Sequence, residues 1–111
     1  MVDSANPRTA SPETDDDLIA ARDHIRADND RAARRFLDTA FDACARVPQF
    51  PELGMKARLR PSALKAVRFL VLPPPFNRWL IFYEPLPTGG VYVRRVWYGT
   101  MNWRDEPGLC F

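Results

Sequence analysis

The side chains of this sequence that could do chemistry are cations and one tyrosine: Lys56, Arg58, Arg60, Arg68, Arg94, Arg95 and Tyr98. Together they would suit metal-free cleavage of RNA. That reaction needs a group to activate the 2′-hydroxyl, cations at the scissile phosphate and a proton donor. Arg68 falls in mid-strand and Tyr98 ends the last strand, so both could face one concave surface. Each residue also has a plainer reading. Tyr98 fits a packed aromatic with a solvated hydroxyl. Arg94 and Arg95 are adjacent on a strand and point to opposite faces, so they cannot both line one site. Lys56, Arg58 and Arg60 lie in a loop, where solvated charge is the ordinary state.

Other chemistries find little support. His24 is the single histidine and sits on an acidic helix, which argues against a catalytic role. Cys44 lies on the apolar face of an expected helix and Cys110 is the penultimate residue, a pair too far apart in sequence to read as a disulfide framework or a zinc site. No His/Cys/Asp/Glu spacing suits a metal, and no glycine-rich phosphate loop is present. The carboxylates crowd at Asp15, Asp16 and Asp17, where helix capping explains them. We therefore expect neither cofactor nor metal.

The elements that must position these side chains follow from pattern. The chain has 111 residues, 46% of them apolar, enough for one domain with an ordinary core. No apolar run approaches a membrane span, and the polar, acidic start "MVDSANPRTASPETDDD" does not resemble a secretory signal. A soluble, cytoplasmic protein is expected. Residues 1–30 carry eight acids and three arginines, a net of −5; residues 31–111 carry thirteen Lys/Arg and six acids, a net of +7. A basic body with an acidic front attracts polyanions or acidic protein partners.

Residues 1–13 read as a mobile or weakly structured arm, with Pro7 and Pro12 and little apolar content. A first helix starts near Ser11 or Thr14, with Ser11-Pro12 as one capping pair and Thr14 with Asp17 as a second, and Leu18, Ala21 and Ile25 share a face. A second helix, from about Asp30 to Arg46, places Ala33, Phe36, Leu37, Ala40, Phe41, Cys44 and Val47 in one wide apolar stripe ended by Pro48. This αα-hairpin must lay its stripe on a sheet. "PQFPELG" is a turn-rich connector in which Phe50 tucks under the helices, and Met55–Leu64 is basic and irregular. Strands follow at Lys65–Leu72, Arg78–Glu84 and Val91–Gly99. The middle one lacks polar alternation and reads as central, covered on both sides. In the last, Val91, Val93, Arg95 and Trp97 share one face, and Tyr92, Arg94, Val96 and Tyr98 the other. The tail, 104–111, is irregular. The expected fold is α+β: an αα-hairpin on a three- to four-stranded antiparallel sheet, in a single domain over 1–111.

At this point the residues resemble the RelE/ParE toxins of type II toxin–antitoxin systems, and the ParE kind in particular. The resemblance rests on the Phe-Pro-x-x-Gly turn at Phe50, Pro51 and Gly54, the arginine-bearing strand around Arg68, the run Trp79–Tyr83, and the hairpin and strand "GVYVRRVWYG". It runs from about Ser11 to Trp103. Two features depart from the family. Residues 1–10 make a poor strand sequence, so the family's first strand is degenerate or missing. Tyr98 stands where ParE-like chains commonly carry histidine, and "GTMN", Gly99 to Asn102, replaces a Gly-Ala-Arg-Asp sequence.

The resemblance implies a toxin neutralised by a cognate, ParD-like antitoxin in a hetero-oligomer, acting on DNA gyrase and without an enzymatic site of its own. It leaves open two alternatives. One is a RelE-like, ribosome-dependent mRNA endonuclease, with Arg68, Arg94 or Arg95, and Tyr98 as its candidate catalytic residues. The other is an inactive relic that only binds antitoxin. Lys56, Arg58, Arg60, Arg68, Trp79, Arg95, Trp97 and Tyr98 are the residues expected to face partners. Aromatics mixed with arginine suit nucleic acid and protein interfaces alike.

Overall fold

A computed structural model of the chain describes residues 8–59, 64–87 and 90–99. Arg60, Trp103, Cys110 and the tail 104–111 lie outside the described residues. The elements run β1 (Arg8–Ala10), α1 (Pro12–Arg26), α2 (Asp30–Arg46), β2 (Met55–Lys56), β3 (Arg68–Val71), β4 (Trp79–Pro85) and β5 (Val91–Tyr98).

Both helices start on side-chain caps. Ser11 Oγ accepts from Thr14 N–H at 3.2 Å and Asn29 Oδ1 from Ala32 N–H at 3.0 Å, each satisfying a donor the helix itself leaves unpaired. The two helices pack against each other and α1 lies along β5. None of the described helices is long and apolar enough to cross a membrane.

The sheet has the order β1-β5-β4-β3-β2. The strands β2 to β5 are antiparallel, as expected, and form the α+β frame with the hairpin. A fifth strand corrects the reading of the N-terminal arm: Arg8–Ala10 pairs parallel to β5, with Arg8 opposite Val91 and Ala10 opposite Val93. Its sequence gives no strand signal because its backbone pairs with β5 and the chain beyond it is hooked on by side chains. Ser11 N–H and Thr14 Oγ1 both donate to Val93 O, at 2.9 and 3.1 Å, and Ser11 Oγ donates to Arg94 O at 2.7 Å.

Two cores lie on the two faces of β4. Toward the helices, Leu18, Phe36, Ala40 and Cys44 pack on Ile81, Tyr83 and Val93. On the far face Ala57, Val67, Leu80 and Phe82 form a second cluster, covered in part by Leu59 and Leu64. A strand buried on both faces cannot alternate, which is why β4 is apolar throughout.

Four local expectations are corrected. Phe50 is 58% exposed rather than tucked under the helices, and Phe41, which lines a groove between α1 and α2, is half exposed. Met55–Lys56, expected to be irregular, pairs with β3. The alternation of β5 is broken by a bulge: Phe82 faces Arg95 but Tyr83 faces Val93, so Arg94 is an extra residue. Val96 therefore joins Val91 and Val93 on the helix side, while Arg95 and Trp97 take the far side.

Candidate partner-binding site

The turn before β2 is built on one tyrosine. The buried Tyr83 hydroxyl accepts from Gly54 N–H at 2.7 Å and donates to Pro51 O at 2.8 Å, pinning the Phe-Pro-Glu-Leu-Gly turn to the central strand. Arg68 Nη1 donates to Gly54 O at 2.7 Å from the neighbouring strand. Gly54 has no room for a side chain: a Cβ there would stand 2.6 Å from Phe69 O and 2.8 Å from the Tyr83 ring. Burial pushes the Tyr83 hydroxyl above its usual 10.0, opposed by the Gly54 hydrogen bond and the Arg68 charge and reinforced by Glu52.

The paired arginines of β5 are also engaged. Arg95 Nε and Nη2 grip the two carboxylate oxygens of Asp17 at 2.7 and 2.9 Å, and Asp17 Oδ2 accepts from Val96 N–H at 2.9 Å. Both side chains are mostly buried, 14% and 15% exposed. The Arg95 guanidinium stands 5.5 Å from the centre of the Trp97 ring. Arg94 pairs with Glu84 at 2.8 Å and lies 5.3 Å from the centre of the Tyr92 ring. On the helix side, Tyr98 packs edge-on to Trp79 at 4.9 Å, and Trp79 meets Phe36 at 5.0 Å. Tyr98 remains 53% exposed.

The residues singled out from sequence are thus dispersed. Arg68 is opposite Tyr83 and Tyr98 opposite Trp79. Those positions are four residues apart on β4, about 13 Å along the strand alone. Arg68 and Tyr98 share the helix-side face, but the structure does not bring them to one point. Arg95 and Trp97 start on the other face, and Arg94 occupies the bulge. Lys56 is exposed on β2 opposite Arg68. Arg58 is exposed as well, with a left-handed backbone at φ 58°. Arg60 lies outside the described residues. Among the described residues, no three His, Cys, Asp or Glu side chains gather as a metal site would require.

Sequence reasoning missed Asp17, Tyr83 and Glu84 as organising residues. A hydroxyl within the apolar run "LIFY" was a usable signal, because a buried tyrosine needs a hydrogen-bond partner. Asp17 had no such mark among three consecutive aspartates.

What this surface offers chemically is a set of arginines fixed by acids or carbonyls and backed by aromatic rings. Rigid arginine and aromatic side chains are the common anchors of protein interfaces. Comparison with known proteins gives the frame a family. The family model described as the ParE toxin of the type II toxin–antitoxin system parDE matches residues 9–103. A solved structure described as the chromosomal ParDE toxin–antitoxin system from P. aeruginosa is similar in fold, with a TM-score of 0.64 and 17% sequence identity over 84% of this chain and 95% of that one. No curated protein sequence matches. With most of its length matched by the family model and its fold shared with a ParDE structure, the chain belongs to the ParE toxin family of type II toxin–antitoxin systems.

Proposed function

We propose that this toxin is held inactive by a cognate, ParD-like antitoxin in a cytoplasmic hetero-oligomer and acts on DNA gyrase when freed. The observation that carries the reading is the family match over residues 9–103. The engagement of Arg68 by Gly54, Arg94 by Glu84 and Arg95 by Asp17 adds support for a binding mode of action. A general acid–base pair must reach one reacting centre, and these side chains are spread over both faces of the sheet. Lys56, Arg58, Arg60 and Arg68, with Trp79, Arg95, Trp97 and Tyr98, are the residues we assign to partner contact. The test is a DNA supercoiling assay with purified gyrase and toxin. Loss of supercoiling that antitoxin restores is expected; full activity at saturating toxin would remove gyrase as the target.

A second reading, a RelE-like mRNA endonuclease, draws on the half-exposed Tyr98 at the end of β5. It predicts that Tyr98→Phe combined with Arg68→Ala abolishes toxicity, and unchanged toxicity would remove it. An inactive relic that only binds antitoxin draws its plausibility from a degraded first strand, and the presence and pairing of β1 remove that support.

A further inference from the structure

Asp15, Ile19 and Arg22 stand at i, i+4 and i+7 on α1 and so share one stripe of that helix. With Leu18, and with Leu37 and Phe41 of α2, they line a groove of about 350 Å³ between the two helices. Ile19 and Phe41 are each 50% exposed, so the fold itself leaves the apolar part of this groove uncovered. The charges at the two ends of the stripe are also not consumed within the molecule. Asp15 and Arg22 are two turns apart, about 10 Å along the axis, too far to pair with each other. Among the described residues Asp15 forms no ion pair. Arg22 pairs there with its sequence neighbour Asp23, at 2.9 Å and partly exposed, a contact that a second carboxylate can share or displace at little cost. The helix that carries the stripe is fixed to the sheet through Asp17 on Arg95 and Ser11 on the Arg94 carbonyl.

An acid, an apolar side chain and a cation in that order along one helix face are complementary to the same face turned end for end. When two α1 helices lie antiparallel about a two-fold axis at Leu18–Ile19, Asp15 of each copy meets Arg22 of the other, and the two Ile19 side chains meet at the axis. We propose that this chain associates with a second copy of itself through the α1 face, with Ile19 and Phe41 as the apolar centre and two reciprocal Asp15–Arg22 pairs at the rim. Charge complementarity selects the occupant. A partner segment of one charge sign would match one end of the stripe and oppose the other, whereas a second copy matches both. Asp16 and Asp23 are exposed on the solvent flank of the stripe, where salt screens their repulsion. A contact made by one helix face and its groove falls in the small class of interfaces, under about 1,200 Å² in total, so the association is reversible and depends on concentration. It does not depend on which target the freed toxin meets.

The test is sedimentation equilibrium of the purified full-length chain over a wide range of concentration. Wild type is compared with Asp15→Lys, with Arg22→Glu, with an equimolar mixture of these two variants, and with Ile19→Ser. Thermal melts confirm that each is folded. Wild type is expected to pass from monomer to dimer as concentration rises. Each single charge reversal sets like charges against each other at both rim contacts and should weaken association at least about tenfold. In the mixture an acid meets a cation at both contacts again, so association should recover. Ile19→Ser, which removes the apolar centre, should also weaken it about tenfold. A chain that stays monomeric at every concentration would overturn the proposal. So would a dimer that neither charge reversal weakens, or a mixture that associates no better than the single variants, because the contact would then lie on another surface.

Discussion

Asp17 of α1 holds Arg95 of β5 through both carboxylate oxygens, at 2.7 and 2.9 Å, and with the same carboxylate caps the Val96 amide on the sheet edge. The edge of β5 is paired by β1 only as far as Val93. Asp17 takes over where that strand stops. It ties the helical hairpin to the sheet and orients Arg95 against Trp97.

Removing this carboxylate strands a mostly buried guanidinium and leaves one edge amide uncapped. Asp17→Ala is expected to cost about 2–4 kcal/mol, and Asp17→Asn less, because the amide oxygen still accepts one hydrogen bond. Urea unfolding of the two variants checks the order. Equal stability of Asp17→Ala and wild type would show that the pair contributes nothing net.

The Tyr83 hydroxyl is the partner of two backbone groups of the Pro51–Gly54 turn. Tyr83→Phe is expected to lose about 1–3 kcal/mol by leaving them unpaired. Gly54→Ala should be at least as damaging, since its Cβ would stand 2.6 Å from the backbone oxygen of Phe69. Denaturation midpoints decide both, and a neutral Gly54→Ala would contradict the close approach.

Titration of Tyr83 gives stability a direction with pH. Its hydroxyl is raised above 10.0, so the folded state holds the proton more tightly than the unfolded chain does. The stabilisation is complete below pH 10.0 and is lost as pH rises from there through the folded-state value. Phenolate absorbance of the folded protein, compared with that of Tyr83→Phe, should place the ionisation of Tyr83 above pH 10.0. The alkaline fall in stability should be shallower in Tyr83→Phe, and an identical slope would contradict the assignment.

Ser11 serves three partners at once: its Oγ accepts from the first turn of α1 and donates to the Arg94 carbonyl, and its N–H donates to the Val93 carbonyl. Ser11→Ala is expected to cost about 2 kcal/mol, at the upper end for loss of a cap. Hydrogen exchange should show faster opening of Pro12–Leu18 and of the β1–β5 pairing together. Exchange faster in the helix alone would separate the cap from the strand.

Much of the frame was legible from pattern. The stripe of α2 gave its length and its buried face, and the unbroken apolar run of β4 gave a central strand covered on both sides. What escaped has particular physical causes. The strand β1 pairs by backbone and is anchored by Ser11 and Thr14, so its own side chains carry no alternation to read. The bulge at Arg94 inserts one residue and reverses the parity of β5 beyond it, which a period-two argument cannot detect. Tyr83 looked like core and Asp17 like capping charge, because sequence spacing does not reveal contacts made 29 and 78 residues apart. The dispersal of Arg68, Arg94, Arg95 and Tyr98 follows from the same bulge and from the length of β4.

The central claim is that freed toxin acts on DNA gyrase and that an antitoxin prevents it. Induced expression of the chain, alone and with its antitoxin, while DNA, RNA and protein synthesis are followed, tests both halves at once. The account predicts an early fall in DNA synthesis that co-expressed antitoxin abolishes. A fall in protein synthesis with cleaved mRNA, while DNA synthesis continues, would contradict it.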